Sequence, residues 1–216
     1  MITTLLLTSL LSTSLQAQDE AVFSRTYKVG DKSTYSLKFG DAHGMISGTE
    51  VLTVQQLLDG GRAEVRAHLD DLQAKIEGGQ APPVTATDIV TKTVAHNMPE
   101  KFDAVEGNFN IICFFAMASS ATLDKKVKAG TEESWTWTGG EFAVKGTTKV
   151  LELSLATKRL KAEIKVTATV KGTNPLEMTF TSTFDLADGS LIESHGKMAP
   201  PGHESEAMNF DAVRKP

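Results

Sequence analysis

Ala162-Glu163-Ile164-Lys165-Val166-Thr167-Ala168-Thr169-Val170-Lys171 decides the fold class. Apolar residues fill every even position of this run and polar residues every odd one. Successive side chains of a strand point to opposite faces, so a period of two describes a strand with one buried and one wetted face. Ala63-Glu64-Val65-Arg66-Ala67-His68-Leu69 repeats the pattern, and so do Met178, Phe180, Phe184 and Leu186 with Thr179, Thr181, Thr183 and Asp185 opposite. Tyr35, Leu37 and Phe39 alternate in the same way. Asp59-Gly60-Gly61, Gly78-Gly79, Gly139-Gly140 and Asp188-Gly189 supply turn chemistry between the runs. The reading is mainly β, an antiparallel meander.

One segment departs from alternation. Asn108 to Leu123 reads NFNIICFFAMASSATL, apolar on all sides in its first half. Periodicity leaves a short buried helix and a fully buried strand both open over 109–123; the Ala, Met and Ser content of the second half favours the helix.

The strands recur as blocks. Gly30 to Leu37 lies on Gly130 to Trp137, aromatic on aromatic, at a spacing of 100 residues. Val51 to Val54 lies on Val150 to Leu153, and Ala63 to Ala67 on Ala162 to Val166, both at 99. Three blocks in order at nearly one spacing point to a duplicated four-strand unit. The expected architecture is one large curved antiparallel sheet, or two face to face, with the helix packed between the copies on the concave side. The division is 1–17 as a signal peptide, 18–126 as the first β repeat with the apolar helix, and 127–216 as the second β repeat with a polar C-terminal tail, forming one compact domain.

The first 18 residues hold no Asp, Glu, Lys or Arg, and an apolar run around Leu5 to Leu11 ends in Leu15-Gln16-Ala17 before Gln18-Asp19-Glu20. That layout is a secretory signal, too short to span a bilayer as a mature helix, and it places the mature chain in a periplasm or outside the cell. The single Cys113 forms no internal disulfide, so burial must hold the fold. Net charge is −5 with signs interspersed, and aromatics are 6% of residues; neither a basic block nor a base-stacking platform is present, which sets nucleic acid aside.

Leu123-Asp124-Lys125-Lys126-Val127-Lys128-Ala129-Gly130, followed by Trp135, resembles the L-P-x-K-x-V-x-x-G-D-x-W join of a diffuse group of exported bacterial β-proteins without assigned function. Asp124 stands at the Pro position, Thr131 at the Asp position, and the Trp comes two places late. The layout is more distantly similar to the curved sheets of periplasmic lipoprotein carriers. The resemblance brings no catalytic residues with it.

His203-Glu204 opens like a zinc-protease helix, but Ala207 occupies the second His position. His68 shares a wet strand face with Glu64 and Arg66, and His195 reads as a turn residue. Gly44-Met45-Ile46-Ser47-Gly48 sets Ser one place late for a nucleophile elbow. Cys113 sits among Ile and Phe, which hide a thiol and raise its pKa. Asp70-Asp71 and Glu132-Glu133 are adjacent strand pairs facing opposite ways, without the convergence that acid–base work needs. The reading is a non-enzyme with no cofactor and no metal.

Trp135 and Trp137 share one strand face. They are read chiefly as core anchors, and otherwise as the aromatic wall of an apolar pocket shared with Tyr35, Leu37 and Phe114. The expected function is an exported binding protein for an apolar or lipid-like small molecule. The alternative is a structural or protein-interaction domain whose partner is another envelope protein. An interior filled by its own side chains weighs against the first.

Overall fold

The computed structural model describes residues 19–78, 87–93, 97, 98, 100, 118, 119, 122–139, 142–170 and 174–216. Twelve strands are described: β1 (Glu20–Phe23), β2 (Lys32–Gly40), β3 (Gly44–Leu57), β4 (Ala63–Ile76), β5 (Thr87–Lys92), β6 (Lys125–Lys128), β7 (Glu132–Gly139), β8 (Phe142–Ser154), β9 (Arg159–Val170), β10 (Leu176–Asp185), β11 (Leu191–Ala199) and β12 (Met208–Arg214). Ten form one antiparallel sheet in the order β5-β4-β3-β2-β12-β11-β10-β9-β8-β7, and β1 pairs with β6 in a separate ribbon. The mainly β, antiparallel reading therefore stands.

Alternation is what makes the sheet two-sided. On β9, Leu160, Ala162, Ile164, Val166 and Ala168 are buried, whereas Lys161, Lys165 and their outward neighbours meet water. Directly opposed residues of neighbouring strands share a face. Thr148, Ile164, Phe180, Gly196, Phe210 and Phe39 thus run as one inner row from β8 across to β2. Small residues in this face sit beneath large ones. Phe180 and Phe210 meet edge to face at 5.8 Å between ring centres, on either side of Gly196. A Cβ on Gly196 would lie 2.3 Å from the Phe180 ring. The same large-over-small fit places Leu72 over Gly48.

The β1–β6 ribbon closes over this face at the second half of the sheet. Phe23 packs on Phe184 at 5.0 Å, and Val127 is buried beside it. The described part of the linker lies there too: Ala118, helical with Ser119, accepts a hydrogen bond from the Ser182 hydroxyl on β10. Residues 109–117, the apolar core of the expected helix, fall outside the described residues.

The two turns that lead into β2 and β7 are built alike. Gly30 N–H donates to the Val54 carbonyl, Asp31 N–H to Lys28, and Val54 N–H to Asp31. Gly130 donates to Val150, Thr131 to Lys128, and Val150 to Thr131, all between 2.8 and 3.0 Å. Each bracket is followed by a register shift, after Val54 in β3 and after Val150 in β8. The Gly30–Gly130 correspondence matches the sequence reading, but the hydrogen bonds set Val54, not Val51, against Val150. Both glycines hold φ +86 with nothing within 4 Å of an added Cβ. Gly30→Ala and Gly130→Ala are each expected to cost about 1 kcal/mol from backbone strain alone. Urea midpoints of the two variants should therefore agree; one variant several times worse than the other would deny the equivalence.

Two expectations need correction. The polar C-terminal tail is not a tail: residues 208–214 form β12, in the middle of the ten-stranded sheet between β11 and β2. Its apolar signal is short, with only Phe210 and Ala212 fully buried, so alternation alone was too brief to reveal it. His195 is not a turn residue. It lies within β11, opposite Asp211 and Thr181; a register shift at Thr183/Phe184 disturbs the alternation there.

Candidate functional site

The residues expected to line a pocket occupy two ends of one buried face. Tyr35 and Leu37 lie on β2; Trp135 and Trp137 lie on β7, six strand steps away. All four belong to one continuous apolar core, but no ladder brings the pairs together. Phe114 falls outside the described residues.

At the β7 end the tryptophans fill space. Trp135 is 4% exposed and Trp137 8%. The Trp135 ring lies across Gly146, its opposite residue on β8, where an added Cβ would come within 2.2 Å of the ring. Its indole N–H donates to Thr148 Oγ1 at 2.9 Å. Trp137 covers Gly139 in the same way. These are the anchors of a packed interior.

The β2 end is different. Tyr35 is opposite Arg214 on β12 and Glu50 on β3, and Glu50 is opposite Leu69 on β4. The Tyr35 hydroxyl donates to the Leu191 carbonyl at 3.0 Å. Burial pushes its pKa up to about 12, against the lowering effect of Arg25 and Arg214 nearby. Glu50 is 0% exposed, and neither carboxylate oxygen has a hydrogen-bond partner among the described residues. Desolvation pushes this carboxyl up to about 8, because the charged form would lose its water and gain nothing in return. Glu50 is therefore mostly protonated at neutral pH. Arg214 donates to the Ser190 hydroxyl at 2.7 Å and forms no ion pair with a described carboxylate. Arg25 donates to the carbonyls of Thr26 and Asp188, contacts the Asp188 carboxylate at 3.4 Å and stacks 4.7 Å over the Tyr27 ring.

Sequence reasoning named Tyr35 but missed Glu50, Arg214 and Arg25. The signal for Glu50 was present: it shares strand parity with Leu52 and Val54. A charged residue on an apolar face is the informative exception.

The outer face carries solvated pairs. Arg66 holds Asp88 through two hydrogen bonds of 2.9 Å, and His68 Nδ1 contacts the same carboxylate at 2.9 Å. His195 Nδ1 contacts Asp211 at 2.7 Å. Among the described residues no three His, Cys, Asp or Glu side chains could hold a metal ion, and no helix is long and apolar enough to cross a membrane. An open groove of about 480 Å³ on this face is lined by Glu152, Arg159, Lys161, Thr183 and Glu193 among others. Its walls are polar and of mixed charge, so it is not the apolar pocket expected.

No protein-family model matches the chain. No curated protein matches it either. Among solved structures, one from Bacteroides fragilis is described as a "putative exported protein with YMCC-like fold". It shares 8% identity, covers 91% of this chain and 100% of its own, and has a TM-score of 0.35. Likeness at that level carries no functional argument, which rests instead on the inner face.

Proposed function

We propose that this chain is an exported, non-catalytic binding protein for an apolar, lipid-like ligand that also carries a polar group. The observation behind the reading is Glu50: an enclosed carboxyl with unused hydrogen-bonding capacity on an otherwise apolar face. A purely structural core gains nothing from such a group, whereas ligand sites combine apolar walls with a few polar groups that fix orientation. The paired turn brackets at Gly30 and Gly130 support descent from a duplicated unit. The uncharged N-terminal stretch ending at Ala17 supports export to the periplasm or beyond.

Protein purified from its native host without detergent is expected to show a denatured mass beginning near Gln18. Under native conditions it should carry extra mass that is lost on denaturation. A denatured mass that includes residues 1–17 would remove the signal-peptide reading, and a bare native mass would remove the carrier reading.

A second reading is a structural or protein-interaction domain of the envelope or secreted matrix. It is favoured by the filled interior around Trp135, which leaves no room for a ligand at that end of the sheet. A bare native mass together with a co-purifying envelope protein would favour it.

A further inference from the structure

The register that pairs Trp135 with Gly146 on β7 and β8 pairs Tyr35 with Glu50 on β2 and β3. Equivalent turn brackets precede both pairs. At one end the slot beside the aromatic ring is a glycine covered by a flat indole. At the other it holds an enclosed acid, with an arginine on the strand beyond the tyrosine. Packing needs explain the first arrangement and not the second.

We propose that the row Arg214–Tyr35–Glu50 is a head-group site for a long-chain monocarboxylate, whose carboxylate lies between the guanidinium and the Glu50 carboxyl. The proposal rests on the apolar-binding reading and names its ligand class. Three observations carry it. The three residues are in register on adjacent strands, so all face inward, and Arg214 and Glu50 are about 10 Å apart across two strand spacings. Arg214 is a half-buried cation whose one described acceptor is a neutral hydroxyl. Glu50 offers, when neutral, an O–H donor with no acceptor among the described residues.

A carboxylate meets both demands. It accepts from the guanidinium, in the bidentate geometry that Arg favours, and from the Glu50 acid. An alcohol would leave Arg214 without a counter-charge, and an ammonium head would be repelled by it. The surrounding charges agree. Arg25, from the segment before β2, adds a second cation near Tyr35. Asp188, from the β10–β11 turn, is engaged by Arg25. On β4 the residue opposite Glu50 is the apolar Leu69.

The test is a titration of the full chain with palmitate and with hexadecanol at pH 7 and pH 9.5. Palmitate is expected to bind at least about tenfold more tightly than hexadecanol at pH 7. That preference should fall towards unity in Arg214→Gln and in Glu50→Leu, and persist in Arg214→Lys. It should also fall at pH 9.5, where ionised Glu50 repels the ligand's charge, while hexadecanol binding stays unchanged. Thermal melts of each variant check that it folds. If both ligands bind equally, or the palmitate preference survives in Arg214→Gln and Glu50→Leu, the head-group site is refuted while apolar binding stands. If neither ligand binds the unaltered protein, the apolar-binding reading itself fails.

Discussion

Glu50→Leu is expected to make the protein more stable at alkaline pH and to flatten its stability profile. The ordinary carboxyl value is 4.5 and the folded one about 8. Between those values the folded state holds a proton that the unfolded state releases, so unfolding becomes easier as pH rises. The Glu50 contribution should be complete below pH 4.5, fall progressively up to about pH 8, and change the stability no further above that. One pKa unit corresponds to ~1.4 kcal/mol, so the loss at pH 9 is on the order of a few kcal/mol. Leu removes both the charge and the unsatisfied polar atoms. Melting curves at pH 5 and pH 9 should converge in the variant, with Tm at pH 9 raised by roughly 10 °C over the parent. Parallel pH profiles for the two proteins would mean that Glu50 is not the enclosed acid described. A stability cost of this size is what the proposed ligand site would explain.

Gly146→Val should have the opposite sign and a comparable size. Its side chain would occupy the space of the Trp135 ring, since even a Cβ comes within 2.2 Å. The indole must then leave its slot and give up its bond to Thr148. Overpacking of this kind costs about 1–3 kcal/mol, and the lost buried hydrogen bond adds roughly 1. Trp135 emission should shift to longer wavelength as the ring gains water. Because strain arises from one pair, Trp135→Leu combined with Gly146→Val should recover part of the loss, a coupling that a double-mutant cycle reads directly. Unchanged Tm and emission in Gly146→Val would show that the ring does not lie where it is described.

The long alternating strands were legible in the sequence because hydrophobic period and burial coincide. β4, β9 and β10 each bury the face that their apolar residues define. β3 was harder, since register shifts after Ser47 and Val54 break its parity, and the correspondence of Val54 with Val150 was lost with it. β12 went unseen for a different reason. Sheet order is a long-range property, and no local pattern in Met208-Asn209-Phe210-Asp211-Ala212 says that its neighbour will be β2. The candidate site was half legible for the same reason. Tyr35 stood out as an aromatic residue on an inward face, while Arg214 gained its role only from a ladder joining distant parts of the chain.

That central ladder also sets the order of events in folding. β12 is the last of the described strands, yet it holds the halves of the sheet together, joining residues 35–40 to residues 209–214. The two halves of the sheet meet only through the β12–β2 ladder, and the ribbon of β1 with β6 adds a second long-range closure among the described strands. Pairings of such high sequence separation form slowly, because the loop entropy is lost before the contacts reward it. Formation of the complete sheet waits on these distant pairings, so the chain is expected to spend longer open and unpaired than one joined by local hairpins alone.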